Sequence, residues 1–314
     1  GLINAEIKSK QFQQQITVND LKNKIRSYYY QLMYLQNNET KLQYLDTLYI
    51  DFVKVASLRY KTGETKKLEL STAQTKRGEI KLLLDQNETY ITNAYQNLKA
   101  IMNTNDDFSI IVSDKYQPLQ VSNLLDSSAI ANHPAIEALY QEALIAEQNI
   151  KVERAQGLPD FKIGYSNQSL IGYQTIDNQE KYFNSSNRFH VVNIGIAIPL
   201  TYGATKARME SLNYQKQSAE ASALQQKIQL GTQLQSAIQQ YNQDMQQYNY
   251  YLQQALPNAS EIVNAASLGY RSGEISYMEY LYALQTATDI ELKYLQAIQQ
   301  VNQSVNSINY LINK

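Results

Sequence analysis

His133 and His190 are the only imidazoles in 314 residues, and the chain has no cysteine. Disulfides, thiolate metal sites and cysteine nucleophiles are therefore excluded. The two histidines lie far apart in sequence, so a zinc site of the usual His/Cys type lacks its ligands. No nucleophile–base set and no glycine-rich phosphate loop is present. The residues point to no enzyme, metal or cofactor. The 28 Lys and Arg nearly balance the 29 Asp and Glu, which leaves no basic footprint for nucleic acid. Charged residues make up only 18%, whereas Gln, Asn and Tyr are abundant. Such weakly charged polar helices suit surfaces that pack on neighbours or line a wet interior.

The elements that carry these side chains are mostly helical. No run of about 18 apolar residues occurs, so no transmembrane helix is expected. The sequence opens at Gly1 without the basic and apolar regions of a signal peptide. Between Leu2 and Gly63 neither Gly nor Pro interrupts a coiled-coil seam of Val18, Leu21, Ile25, Tyr28, Leu32 and Leu35. The seam slips once and resumes at Leu42, Leu45, Tyr49 and Phe52. After a turn at Lys61-Thr62-Gly63, a second helix is expected from about Lys66 to Met102. Asn103 to Asp107 is a turn cluster, and Phe108–Val112 reads as a short strand. Asn132-His133-Pro134 opens a helix with Pro at its first position, ending near Gln156 before Gly157 and Pro159. A helix from Gly203 to Leu256 carries the seam Leu234, Ile238, Tyr241, Met245, Tyr248, Leu252 and Ala255. Pro257 interrupts it, and a short helix leads to a turn at Arg271-Ser272-Gly273. The last helix shows Tyr294, Ile298, Val301, Val305, Ile308 and Ile312 in four-three alternation.

Residues 160–200 differ in kind. Phe161, Ile163 and Tyr165 alternate with Lys162, Gly164 and Ser166, and a polar loop is expected at 172–188. From Phe189 to Leu200 one face reads His190, Val192, Ile194, Ile196, Ile198 and Leu200, and the other is small or polar. One strongly apolar face over about ten residues is the pattern of a membrane strand. A sheet strand facing a soluble core has the same pattern.

An internal repeat organises the chain. Ala56-Ser57-Leu58-Arg59-Tyr60-Lys61-Thr62-Gly63-Glu64 matches Ala266-Ser267-Leu268-Gly269-Tyr270-Arg271-Ser272-Gly273-Glu274 at a constant offset. The match continues through Leu68/Met278, Glu69/Glu279 and Ala73/Ala283. Each copy places Gly where a turn needs a left-handed residue. The second copy has a helix and a hairpin before its long helix and the first does not, so the chain is expected to be N-terminally incomplete.

Leu158-Pro159-Asp160, Ile194-Gly195-Ile196-Ala197-Ile198-Pro199-Leu200 with Gly203, and Tyr270-Arg271-Ser272-Gly273-Glu274-Ile275-Ser276-Tyr277-Met278-Glu279-Tyr280-Leu281 together resemble the TolC-like outer-membrane efflux proteins. His133-Pro134 resembles the dipeptide that opens the helix before the family's hairpin. The C-terminal repeat is most similar to the heavy-metal (CusC- and CzcC-like) branch, in some members of which the duct is fused behind a resistance-nodulation-division (RND) pump. The resemblance implies a mainly α fold with a membrane β-hairpin. Long coiled-coil hairpins form a periplasmic α-barrel, strands join an outer-membrane β-barrel, and the assembly is a homotrimer. It divides the chain into a first-repeat helical hairpin (1–103), an equatorial connection (104–131), a helix leading to the membrane (132–159), an outer-membrane hairpin (160–200) and a second-repeat hairpin (201–314). A single hairpin is fewer strands than the family asks of each protomer.

The implied function is passive export from a Gram-negative periplasm through the outer membrane, with heavy-metal cations or small toxicants as cargo and energy from an inner-membrane RND pump. The implied adaptor-contact tips are Tyr60, Thr62, Gly63, Glu64, Tyr270, Ser272, Gly273 and Glu274. Glu279, with its repeat mate Glu69, takes the place of the pore-constricting aspartate in multidrug members. A second family aspartate is replaced by Tyr282. A ring of Glu279 side chains in a narrow pore attracts cations and repels anions. Val192, Ile194, Ile196, Ile198 and Leu200 are expected to face outer-membrane lipid, and the 172–188 loop to face outside the cell. Two other readings stay open: the exit duct of a type I protein secretion system, and a coiled-coil or adaptor protein with no pore.

Overall fold

A computed structural model describes residues 1–110, 116–121, 130–200 and 202–314. The helices are α1 (Leu2–Lys61), α2 (Lys67–Met102), α3 (Pro134–Gln156), α4 (Tyr202–Tyr250), α5 (Leu256–Ser272) and α6 (Tyr277–Leu311). The strands are β1 (Asp160–Gln168), β2 (Gly172–Ile176), β3 (Gln179–Phe183) and β4 (Phe189–Ala197). The chain divides into two compact units. One holds Gly1–Gln11 and Glu137–Leu224; the other holds Phe12–Ile136 and Gln225–Lys314.

In the second unit, helices pair through narrow apolar seams. Leu32, Leu35, Leu42, Leu45, Tyr49 and Phe52 of α1 are buried, as are Ile298, Val301, Val305 and Ile308 of α6. Burying each such aliphatic side chain contributes about 1.5–3 kcal/mol. The early part of the expected seam is different, because Val18 and Leu21 are exposed and Asn19 is buried instead. Asn19 donates to the Tyr310 carbonyl at 2.8 Å, and Asn306 donates to the Asn23 side chain at 2.8 Å. The facing end of α6 is polar, so α1 meets it with asparagines. Similar amide bonds join α1 to α2, where Asn87 donates to the Leu35 carbonyl and Asn38 to Asn87, each at 2.9 Å.

Phe108–Ile110 form no strand. The Ile110 amide donates to the Tyr95 hydroxyl at 3.2 Å, and Phe108 packs edge-on against Tyr95. The amide is thus held by a side chain rather than a ladder partner. Ile111 and Val112 lie outside the described residues. Pro257 also acts differently from a break. Tyr251–Ala255 form a π-helical turn, and Pro257 sits in the first turn of α5. Proline lacks an N–H and its ring clashes with the carbonyl four residues back, which a widened turn relieves.

In the first unit, α3 is tied to α4 by Glu147–Lys216 at 3.1 Å and Glu153–Arg208 at 2.9 Å. β1 and β4 pair antiparallel from Asp160↔Ala197 to Gln168↔Phe189. Pro159 precedes this ladder and Pro199 follows it; neither can donate, so pairing stops between them. Ile198 and Leu200 therefore lie beyond β4 rather than within it. Residues 172–188 are not simply a loop. β2 and β3 form a second hairpin, paired from Gly172↔Phe183 to Ile176↔Gln179. Its turn residues, Asp177 and Asn178, have φ of 52° and 59°. Two positive φ values define the turn whose twist matches paired strands, and short polar side chains tolerate them.

Candidate functional surfaces

Both helical turns close in the same way. At the first, the Gly63 N–H donates to the Tyr60 carbonyl at 3.2 Å and Glu64 N–H to the Arg59 carbonyl at 2.8 Å. At the second, Gly273 N–H donates to Tyr270 at 3.2 Å and Glu274 N–H to Gly269 at 2.8 Å. These paired bonds form the Schellman motif. Gly63 and Gly273 have φ of 79° and 78°, where a side chain is strained. Tyr60, Thr62, Gly63, Glu64, Ser272, Gly273 and Glu274 are exposed. Tyr270 is half-buried, stacked on Tyr280 with ring centroids 5.0 Å apart, and its hydroxyl accepts from Arg59 at 3.2 Å. It braces the two turns from behind.

The acidic repeat mates have different surroundings. Glu279 is exposed and forms a capping box: its Oε2 accepts from the Ser276 amide at 2.7 Å, and its own amide donates to Ser276 Oγ at 3.3 Å. The Ser276 amide bond first, and the Ser276 side chain after it, hold the Glu279 carboxyl below the usual range. Lys66 replaces Ser276 in the first copy and makes no side-chain cap. Glu69 instead lies 3.6 Å from Arg59 Nη1, an ion pair rather than a hydrogen bond, and is largely covered. Of these two mates, Glu279 presents the exposed carboxylate.

An aromatic cluster fixes both turns, and of its members only Tyr270 is assigned a site role from sequence, as a tip residue. Tyr277 is buried, donates to the Phe52 carbonyl at 3.3 Å and packs edge-on against the Phe52 ring. Burial pushes its phenol well above the ordinary range, with Tyr270 and Glu69 adding to the effect. Tyr280 also meets Phe52, at 5.3 Å. Tyr277 and Tyr280 lie three residues apart on α6, a helical spacing that could have revealed them, whereas Tyr270 lies on α5 and meets them across the turn.

The other surface is the β1–β4 hairpin. Register puts Phe161, Ile163 and Tyr165 opposite Ile196, Ile194 and Val192 on one face. Ile163 is 84% exposed and Ile194 79% exposed. Ile198 and Leu200 continue the exposed apolar surface past the strand end. The reverse face carries Lys162, Gly164, Ser166, Asn193 and Gly195, with the apolar Val191 and Phe189 only at its far end. A contiguous apolar face of this size, backed by a polar one, suits lipid on one side and water on the other. No described helix is long and apolar enough to cross a membrane.

Residues 125–314 match the outer membrane efflux protein family. The chain belongs to that family; it is an outer-membrane protein with a mainly helical fold and not an enzyme. It is 24% identical over 267 residues to the cobalt-zinc-cadmium resistance protein CzcC of Cupriavidus metallidurans, a match covering 83% of this chain and 60% of CzcC. Among solved structures, CusC superposes with a TM-score of 0.82 at 15% identity, covering 98% of this chain and 72% of CusC. The open state of the Neisseria gonorrhoeae MtrE outer membrane channel gives a TM-score of 0.82 at 15% identity, covering 98% and 70%.

Proposed function

We propose that this chain is the wall subunit of a passive exit duct in a tripartite efflux system. The observation that carries this reading is the β1–β4 hairpin, with its exposed apolar face and two strands. In lipid, each unpaired strand edge leaves backbone groups unsatisfied, at several kcal/mol per group. In a homotrimer, other copies of the chain lie beside the hairpin and pair its edges. The exposed Schellman turns around Gly63 and Gly273 meet a periplasmic adaptor, and an inner-membrane RND pump provides the energy. The cargo is a heavy-metal cation or small toxicant, a class supported by the name of the CzcC relative. Glu279 of each copy faces the axis near the tips and biases the pore toward cations.

The test is single-channel recording of the purified protein in planar bilayers, with its wild-type and Glu279→Gln forms. The expected result is a cation-selective conductance blocked by divalent cations, with block and selectivity reduced in the variant. Absence of conductance from a membrane-inserted trimer sinks the duct, whereas unchanged block in the variant sinks only the Glu279 assignment. Loss of cobalt, zinc or cadmium tolerance in cells lacking the protein tests the cargo.

A further inference from the structure

Between Lys227 and Glu261 the sequence has one charged residue, Asp244; between Lys293 and Lys314 it has none. Asp244 is only 4% exposed. Its Oδ1 accepts from Gln240 Nε2 at 2.8 Å, and its Oδ2 accepts a short hydrogen bond from the Ser304 hydroxyl. Among the described residues no Lys, Arg or His pairs with it. A buried carboxylate with only neutral partners carries a desolvation penalty of several kcal/mol, which a cation offsets. A second group points the same way: Gln300 Oε1 is buried and has no hydrogen-bond partner.

These groups converge. Gln240 and Asp244 are four residues apart on α4, and Gln300 and Ser304 four apart on α6, so each pair shares a helix face. All four line one open cleft of about 430 Å³. That volume holds an ion with several of its waters. The lining offers carboxylate, amide and hydroxyl oxygens and no imidazole or sulfur. Hard cations prefer such donors, whereas softer transition metals favour nitrogen and sulfur. We propose that the α4–α6 cleft binds a hard divalent cation through Asp244, Gln300 and Ser304, with water completing its coordination. Binding gives Asp244 its countercharge and Gln300 its missing partner. The ion is a constituent of the helical wall, distinct from any cargo.

The test is Mn²⁺ titration of the full chain in detergent, followed by loss of the free-ion electron paramagnetic resonance signal. Wild type is expected to bind one Mn²⁺ per chain more than Asp244→Asn, and Ca²⁺ to displace it. Gln300→Leu and Ser304→Ala each weaken the site about tenfold, on the scale of losing one supporting ligand. Equal Mn²⁺ uptake by wild type and Asp244→Asn overturns the proposal, as does bound Mn²⁺ that Ca²⁺ fails to displace. If Asp244→Asn does not fold, unchanged Mn²⁺ affinity in folded Gln300→Leu overturns it on its own.

Discussion

At the first helical tip, Arg59 pairs with Glu69, Lys66 precedes α2, and Lys67 is exposed. At the second, the corresponding positions are Gly269, Glu279, Ser276 and the buried Tyr277. The paired bonds that close the two turns agree in partner and length. A repeat can therefore keep its backbone while its side chains take up other work. The turn needs little beyond a glycine at positive φ, leaving the flanking residues free to differ. The second tip is secured by packing and a capping box; the first is held by a surface ion pair. A Cβ at Gly269 would come within 3.3 Å of the Ile275 side chain, so the second copy has little room for its own Arg59.

This asymmetry can be broken in order of expected effect, with unfolding followed by chemical denaturation in detergent. Tyr277→Ala should destabilise by about 4 kcal/mol through cavity formation, while Lys67→Ala at the matching exposed site should change stability by less than about 0.5 kcal/mol. Equal losses would refute the packing difference. Gly63→Ala and Gly273→Ala should each cost about 1–2 kcal/mol, and by similar amounts. Nothing lies within 4 Å of a Cβ at either glycine, so backbone strain alone sets the effect. A large difference between them would show that the turns are not equivalent. Ser276→Ala should cost about 1 kcal/mol as a lost cap, whereas Lys66→Ala should be nearly neutral. An Arg59–Glu69 double-mutant cycle should give under about 1 kcal/mol, because the pair is partly exposed.

The smallest effect is a pH dependence. The folded-state pKa of Glu279 is lowered, so its contribution is present above the unfolded value and is lost as pH falls through the folded one. The stability difference between wild type and Glu279→Gln should therefore narrow in acid, below the usual carboxylate range. A difference that stays constant through that range would detach Glu279 from the capping box.

Much of the architecture was legible because it rests on local rules. Gly63 and Gly273 marked the turns, Pro134 opened α3, and the alternation at Phe189–Ala197 identified a strand with one apolar face. The misreadings came from partners distant in sequence. Val18 and Leu21 fit a seam, but the facing α6 segment offers Asn306 and the Tyr310 carbonyl, and the buried position went to Asn19. Phe108–Ile110 had strand-forming residues without a ladder partner, since Tyr95 takes the Ile110 amide. The β2–β3 hairpin was hidden in polar composition, although Asp177-Asn178 between alternating runs carried its signal. Ser276-x-x-Glu279 is a readable capping signature. The Arg59–Glu69 pair was not readable in that way, because it depends on how α1 and α2 meet.

The lipid-suited face of β1 and β4 also sets a schedule. Phe161, Ile163, Val192, Ile194 and Leu200 are poorly matched to water from the moment they leave the ribosome until they reach a bilayer. During that interval such an apolar face invites the wrong company, other unfolded chains included. The hairpin must be shielded in transit or inserted faster than it finds a partner, so the route to the membrane is as constrained as the residence there.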